Sequence, residues 1–215
     1  MSKVFDLIQI GCHIGNTLND KKTIGLFNKN SNAIFVEPIK RFYDLMVQNH
    51  NRDHRDNNFI FLNKACSNTV GELNLYEPDI ITFSRETEPE YIERALPNWI
   101  DQLTSVYPDH VSDHHLNIKS KLVEVPCTTL NQLIEEYEIT ELKSLVIDTE
   151  GHDFEILDGL DLNLLKPKKI IFEHKHMEGT NKKVGEKYNT ILNKLFSFGY
   201  VKIHMDTEDT YLELI

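Results

Sequence analysis

The sequence predicts an α/β fold: a doubly wound, Rossmann-like sheet, mostly parallel, with a C-terminal antiparallel hairpin. Three observations carry this. Short apolar runs recur at residues 4–10, 33–36, 59–62, 145–147 and 170–172, and four of the five lack polar alternation, as strands covered on both faces do. Helical patterns separate the runs. The chain then closes on two alternating segments, 200–204 and 210–215, broken by Asp206, Thr207, Glu208 and Asp209. That pair reads as a hairpin, so strands and helices in turn are followed by one reversed strand.

Each element has a local reason. The run 4–10 enters a glycine-bracketed turn, Gly11 to Gly15, and Asn16 or Thr17 is placed to cap a helix. The run 33–36 ends at Glu37 and Pro38, after which Ile39, Phe42, Tyr43 and Met46 share one helical face. Cys66, Ser67 and Asn68 follow the third run. Thr129 and Gln132 form a capping box for a helix with Leu130, Leu133, Ile134 and Tyr137 on its apolar side. The run 145–147 ends at Asp148 and Glu150, with a helix expected from about Asp153. A last helix carries Tyr188, Ile191, Leu192 and Leu195, and Gly199 stops it.

One stretch breaks the rhythm. Residues 77–120 hold Pro78, Pro89, Pro97, Pro108, the single tryptophan and many charges. A helix is expected from about residue 89 to 106, with Tyr91, Ala95, Trp99 and Leu103 spaced by fours. Such an insertion on an α/β sheet is expected to be a lid or an acceptor-binding element.

The 215 residues fit one domain, 1–215, with the insertion inside it. Acidic residues exceed basic ones, 34 to 23, for a net charge of -11. A surface of that sign repels phosphate backbones and anionic lipid, so neither nucleic acid nor a membrane is an expected partner. The absence of a membrane-length apolar run, a strand starting within a few residues of Met1, and three scattered cysteines point to the cytoplasm.

The turn and Glu37 carry the chemistry. A carboxylate ending the second strand suits a ribose, and a glycine turn lets backbone approach a ligand. A dinucleotide turn has a second glycine where this chain has His13, so a pyrophosphate would meet a side chain. S-adenosyl-L-methionine carries ribose and adenine without phosphate and is the expected cofactor. The helix N–H groups at Asn16 or Thr17 would face its carboxylate, and Cys66 and Ser67 lie where adenine is expected. Asp148 and Glu150 stand at the ligand-facing edge, where an acceptor hydroxyl would lose its proton. Asp148 is the expected base, with Glu150 beside it, and His174 is the second candidate. The ten histidines show no spacing such as H-E-x-x-H. Solvated loop histidines are expected at 110, 114 and 115. Strand alternation would turn Glu173 away from His174 and His176, so no metal is expected.

With these residues in view, the segment from Leu145 to Gly159 resembles the D-x-E-G-x-x-x-x-x-L-x-G block of FkbM-type methyltransferases. Other matching stretches follow in order: the Gly11 to Asn16 turn, Val36-Glu37-Pro38, residues 64–68 with Gly71, residues 125–130, and Ile171-Phe172-Glu173. The resemblance implies a class I methyltransferase sheet, S-adenosyl-L-methionine as cofactor, and methylation of a hydroxyl on a sugar or other small metabolite. It also implies that Gln9 meets the cofactor's ammonium, although the family carries an acidic residue there. The turn residues Gln9, Gly11, His13 and Gly15, with Glu37 and Asp148, would line the cofactor site. Two rival readings remain at this stage. One is a binding module that keeps the fold without catalysis; the other is a nicotinamide-dependent oxidoreductase.

Overall fold

The computed structural model describes residues 3–15, 23, 25–26, 28–80, 99–114, 118–180 and 184–215. In chain order they form β1 (Val4–Ile10), β2 (Asn32–Val36), α1 (Lys40–Asp53), β3 (Asn58–Leu62), β4 (Ala65–Ser67), β5 (Gly71–Pro78) and α2 (His110–Asp113). There follow β6 (Ser120–Thr129), α3 (Leu130–Glu136), β7 (Glu141–Ile147), α4 (Asp153–Gly159), β8 (Lys169–Glu173), α5 (Glu186–Ser197), β9 (Tyr200–Met205) and β10 (Asp209–Leu214).

The main sheet has seven strands in the order β3-β2-β1-β7-β8-β10-β9. It is parallel from β3 to β8, and β10 runs antiparallel to both its neighbours. The expected fold class is therefore the one observed. Period-two alternation divides the apolar runs between two faces. Ile8, Ile10, Ile34, Val36, Leu145 and Ile147 pack with Ile156, Ile191 and Leu195 on one side. Leu7, Ala33, Phe35, Val146 and Ile171 pack with Met46 on the other. Thr129 caps α3 as expected, its hydroxyl accepting from the Gln132 N–H at 3.0 Å.

The strand order reverses direction between β1 and β7, which leaves a crevice at the carboxyl edge of the sheet. Pairing continues past the strand ends there. The Gly11 N–H donates to Val36 O, the Asp148 N–H to Ile10 O and the Glu37 N–H to Leu62 O, each at 3.0 Å. These bonds bring Gly11, Glu37 and Asp148 to one rim.

Two features of the fold differ from the sequence expectation. A second sheet, β4-β6-β5, stands beside the first. In it β5 pairs antiparallel with β6 from Gly71 against Cys127 to Pro78 against Ser120. The two ends of the insertion therefore leave from neighbouring rungs of one ladder. The second difference is the helix expected over 89–106. Residues 89–98 lie outside the described part, and from Trp99 onward the chain does not continue as a helix. Ile100–Gln102 make a single 3₁₀ turn, and Ser105 then bridges Tyr76 of β5 with N–O distances of 2.8 and 3.2 Å. Of the expected apolar face, Tyr91 and Ala95 lie outside the described residues, Trp99 is exposed, and Leu103 joins a separate small core with Ile100, Val111, Ile118 and Ile80.

Candidate active site

The turn after β1 is shaped by what lies behind it. Gly11 has φ +78°, and a Cβ there would sit 1.8 Å from the Asp148 carbonyl oxygen. Only glycine lets β1 turn this close to the end of β7. His13 is also left-handed at φ +49°, and its N–H donates to Glu37 Oε2 at 2.8 Å. The other Glu37 oxygen accepts the Ile39 N–H at 2.9 Å. One buried carboxylate thus ties the turn to the start of α1. Each of its oxygens keeps a second lone pair for a ligand donor. Burial pushes the Glu37 carboxyl up to about 7, against the pull of the two N–H groups and the Arg41 guanidinium.

A cavity of about 1050 Å³ opens on this rim. Its floor is Gly11, Cys12, His13 and Ile14 with Glu37, Pro38 and Asp148; Lys64, Ala65, Cys66, Leu73 and Leu75 supply one wall. Asp101, Gln102, Thr104 and Val106 of the insertion face it, as do the 206–209 turn and Tyr211 of the C-terminal hairpin. The volume lies at the upper end of the range for small-molecule sites, so it has room for two ligands side by side.

The loop between β7 and α4 forms the remaining wall with Asp148, Thr149, Glu150 and His152. Fully buried Asp153 holds it in place. Its Oδ2 accepts from the Thr149 N–H (3.2 Å) and hydroxyl (2.6 Å), and its Oδ1 accepts from the Glu173 N–H (3.1 Å). Glu150 takes a left-handed φ of +52°, unusual for its residue type. The insertion packs onto this loop: the Ser105 hydroxyl donates to Glu150 O at 2.7 Å and Tyr107 to Gly151 O at 3.3 Å. A Cβ on Gly151 would lie 2.7 Å from the Tyr107 ring, which explains that glycine. Burial pushes the Glu150 carboxyl up; a hydrogen bond from His110 opposes this, and the Asp148 charge adds to it.

Residues 9–202 match the family described as Methyltransferase FkbM domain. The chain belongs to this methyltransferase family. No curated protein matches it.

Placed on the methyltransferase fold, the sequence-predicted residues separate into groups. Gly11, His13, Glu37, Cys66, Asp148 and Glu150 converge on the cavity. Asn16 and Thr17 lie outside the described residues. Gln9 is buried inside β1 and does not line the cavity. Gly15 serves packing, since a Cβ there would lie 2.6 Å from His50 Nε2 and 2.9 Å from Met46 Cγ on α1. Ser67 also stays out of the lining and meets His152 Nε2 at 2.8 Å.

The expectations for the histidines need correction. His174 is not beside the cavity; it is buried, with Nδ1 3.1 Å from the Thr210 hydroxyl and its ring against Tyr188. It is therefore no candidate for the base. The alternation argument also fails, because β8 ends at Glu173 and the chain turns, bringing the Met177 N–H to His174 O at 3.3 Å. Glu173 and His176 consequently meet, Oε1 to Nε2, at 3.6 Å. His110 is wholly buried rather than solvated. His115 lies outside the described residues.

Sequence reasoning missed His152, which lines the cavity and whose imidazole is held below its usual range by burial. It also missed Lys64, Asp101 and the 206–209 turn. A sequence signal existed for the last of these, since four polar residues joining two strands at the sheet's end must project beyond its edge.

Proposed function

We propose that this chain is an S-adenosyl-L-methionine-dependent methyltransferase acting on oxygen, with a hydroxyl of a sugar or other small metabolite as acceptor. The observation that carries the reading is the shared rim of Gly11, Glu37 and Asp148 beneath a cavity walled on its far side by the insertion. The residues present fit the cofactor. Glu37 has a lone pair on each oxygen for the two ribose hydroxyls, and Gly11 lets the turn close onto the end of β7, so that Glu37 and Asp148 share one rim. Apolar Cys66, Leu73 and Leu75 offer a wall for a flat base. Both ring nitrogens of His13 are buried and lack a hydrogen-bond partner among the described residues.

When bound, S-adenosyl-L-methionine supplies a methyl group on a sulfonium whose neutral thioether leaves readily. The chain's task is then to orient the acceptor and take its proton. Asp148 is the proposed base, and His152, held neutral by burial, is the alternative on the same wall. The acceptor would be chosen by Asp101, Gln102 and Thr104 of the insertion and by the 206–209 turn. The acidic chain argues against nucleic acid and membrane partners, and the cytoplasm is the proposed compartment. No helix among the described residues is long and apolar enough to cross a membrane.

Calorimetric titration with S-adenosylhomocysteine and with NAD tests the cofactor. Saturable heat with the first and none with the second is expected; the reverse would make the protein an oxidoreductase, and silence with both a binding module. Labelled methyl transfer to a panel of sugars tests oxygen as the acceptor atom, and products methylated only on nitrogen would overturn it.

A further inference from the structure

The geometry points to a binding site for a divalent transition metal of the zinc type, formed by His110, His114 and His176 with Glu150 and Glu173. The site lies behind the cavity wall and ties the insertion to the edge of the sheet. Five metal-ligating side chains from three separate segments, 110–114, 150 and 173–176, converge there. The ligand nitrogens of His110, His114 and His176 lie within 4.8 Å of one another, and so do the ligand atoms of Glu150, Glu173 and His176. His176 belongs to both groups and is the pivot of the cluster. Its Nε2 is 3.5 Å from Glu150 Oε2 and 3.6 Å from Glu173 Oε1, while His110 Nε2 is 3.1 Å from Glu150 Oε2.

Several features distinguish this from a chance meeting of polar groups. His110, His176 and Glu173 are buried, and His110 and His176 each expose 1% or less of their surface. His110 and His114 are four residues apart across the short helix α2, so both imidazoles fall on one side of it. The Thr180 hydroxyl lies 2.9 Å from His110 Nδ1 and orients the ring with Nε2 toward the cluster, as outer partners of metal-bound imidazoles do. Two carboxylates this close in a buried place repel, and a cation between them relieves that repulsion. The Lys175 ammonium, 2.6 Å from Glu208, also draws on Glu150 and Glu173 by charge but is not one of the cluster's ligand atoms.

The donor set selects the ion. Three imidazoles with carboxylate oxygens suit zinc and its late first-row neighbours, whereas magnesium and calcium take oxygen ligands. Bonds of about 2.0–2.1 Å place tetrahedral ligand atoms about 3.4 Å apart. Three pairs of the cluster, at 3.1, 3.5 and 3.6 Å, already stand near that spacing. Of the five, only Glu150 also lines the cavity. The ion would therefore fix the 110–114 segment against the sheet and brace the loop that carries Asp148. The site does not depend on the identity of the cofactor or the acceptor.

The test uses untagged full-length protein purified without chelator, with zinc as the probe. Elemental analysis should find about one zinc-class ion per chain. Zinc added to chelator-stripped protein should bind with one-to-one stoichiometry, and magnesium should not compete. Saturating zinc should raise the Tm of the stripped protein by roughly 5–15 °C. His176→Gln should weaken zinc binding by about a hundredfold or more. Because His176 is buried, His114→Ala, at a half-buried position, provides a second variant that keeps the fold; its circular dichroism should match wild type while its zinc affinity falls likewise. His54→Ala, half-buried at the end of α1, and His204→Ala, exposed on β9, should bind zinc as wild type does. Absence of saturable zinc binding, or wild-type affinity in both His176→Gln and His114→Ala, would reduce the cluster to a hydrogen-bonded network and overturn the site.

Discussion

Replacing Glu37 probes the cofactor reading most directly, because one side chain has two separable duties. Its oxygens each hold one backbone N–H, from His13 and Ile39, and each keeps one lone pair for a ribose hydroxyl. Glu37→Gln preserves shape but turns one acceptor into a donor. One charge-assisted hydrogen bond to the ligand, worth about 1.5–3 kcal/mol, is lost, so affinity for S-adenosylmethionine should fall roughly ten- to a hundredfold. Glu37→Ala removes both acceptors and should fall at least that far. The folded carboxyl titrates near 7 against an ordinary 4.5, so between those pH values the folded chain keeps a proton that the unfolded chain has released. This contribution to stability is fully present below pH 4.5 and is lost as pH rises through 7, a change on the order of 3 kcal/mol that Glu37→Gln should abolish. Ribose hydroxyls donate to the ionised form, so cofactor binding should release a proton and tighten from pH 6 to 8. Calorimetry at pH 6, 7 and 8 in buffers of different ionisation enthalpy measures affinity and proton release together, and thermal melts measure stability. Wild-type affinity with wild-type pH dependence in Glu37→Gln would refute the assignment of the ribose to this carboxylate.

Three further substitutions test the rim and its supports. Asp148→Asn should lower turnover by about 10²–10⁴-fold while leaving S-adenosylhomocysteine affinity nearly unchanged; full activity would transfer the proton to His152. Gly11→Ala would set a methyl group 1.8 Å from the Asp148 carbonyl oxygen at a left-handed φ. It should cost at least about 2 kcal/mol by urea denaturation, and weaken cofactor binding as the turn shifts. Asp153→Ala leaves the Thr149 N–H and hydroxyl and the Glu173 N–H without their acceptor. A stability loss of about 3 kcal/mol or more is expected by the same measurement, and a loss under about 1 kcal/mol would mean that water replaces the carboxylate.

Much of the site was legible because its chemistry is local. Gly11 and Glu37 announce themselves by their places at the ends of two neighbouring apolar strands, and Asp148 by its place at the end of a third. The histidines were not legible in this way. The rule that placed Glu173 opposite His176 assumes a strand continuing past Glu173, and the turn at 174–177 cancels it. His110 and Glu150 stand forty residues apart in sequence and 3.1 Å apart in space. Only the ladder joining β5 to β6, with the bridge from Ser105 to Tyr76, makes that meeting possible. His152 was overlooked for a similar reason, since its neighbours Ser67 and the cavity come from other parts of the chain.

The doubly wound sheet, its reversed last hairpin and the order of the rim residues were fixed by periodicity or by residue type beside a strand end, signals that act over a few residues; the family was legible as a resemblance, in the ordered motifs from Gly11 to Glu173. Tertiary structure alone decided that Gln9 and His174 are withdrawn from the cavity, that Gly15 serves helix packing, and that the insertion rests on the loop carrying Asp148 and Glu150. It also decided that three histidines and two carboxylates share one buried place. The physical reason is that side-chain direction and burial depend on which distant segments pack together, and the chain writes that packing nowhere as a local pattern.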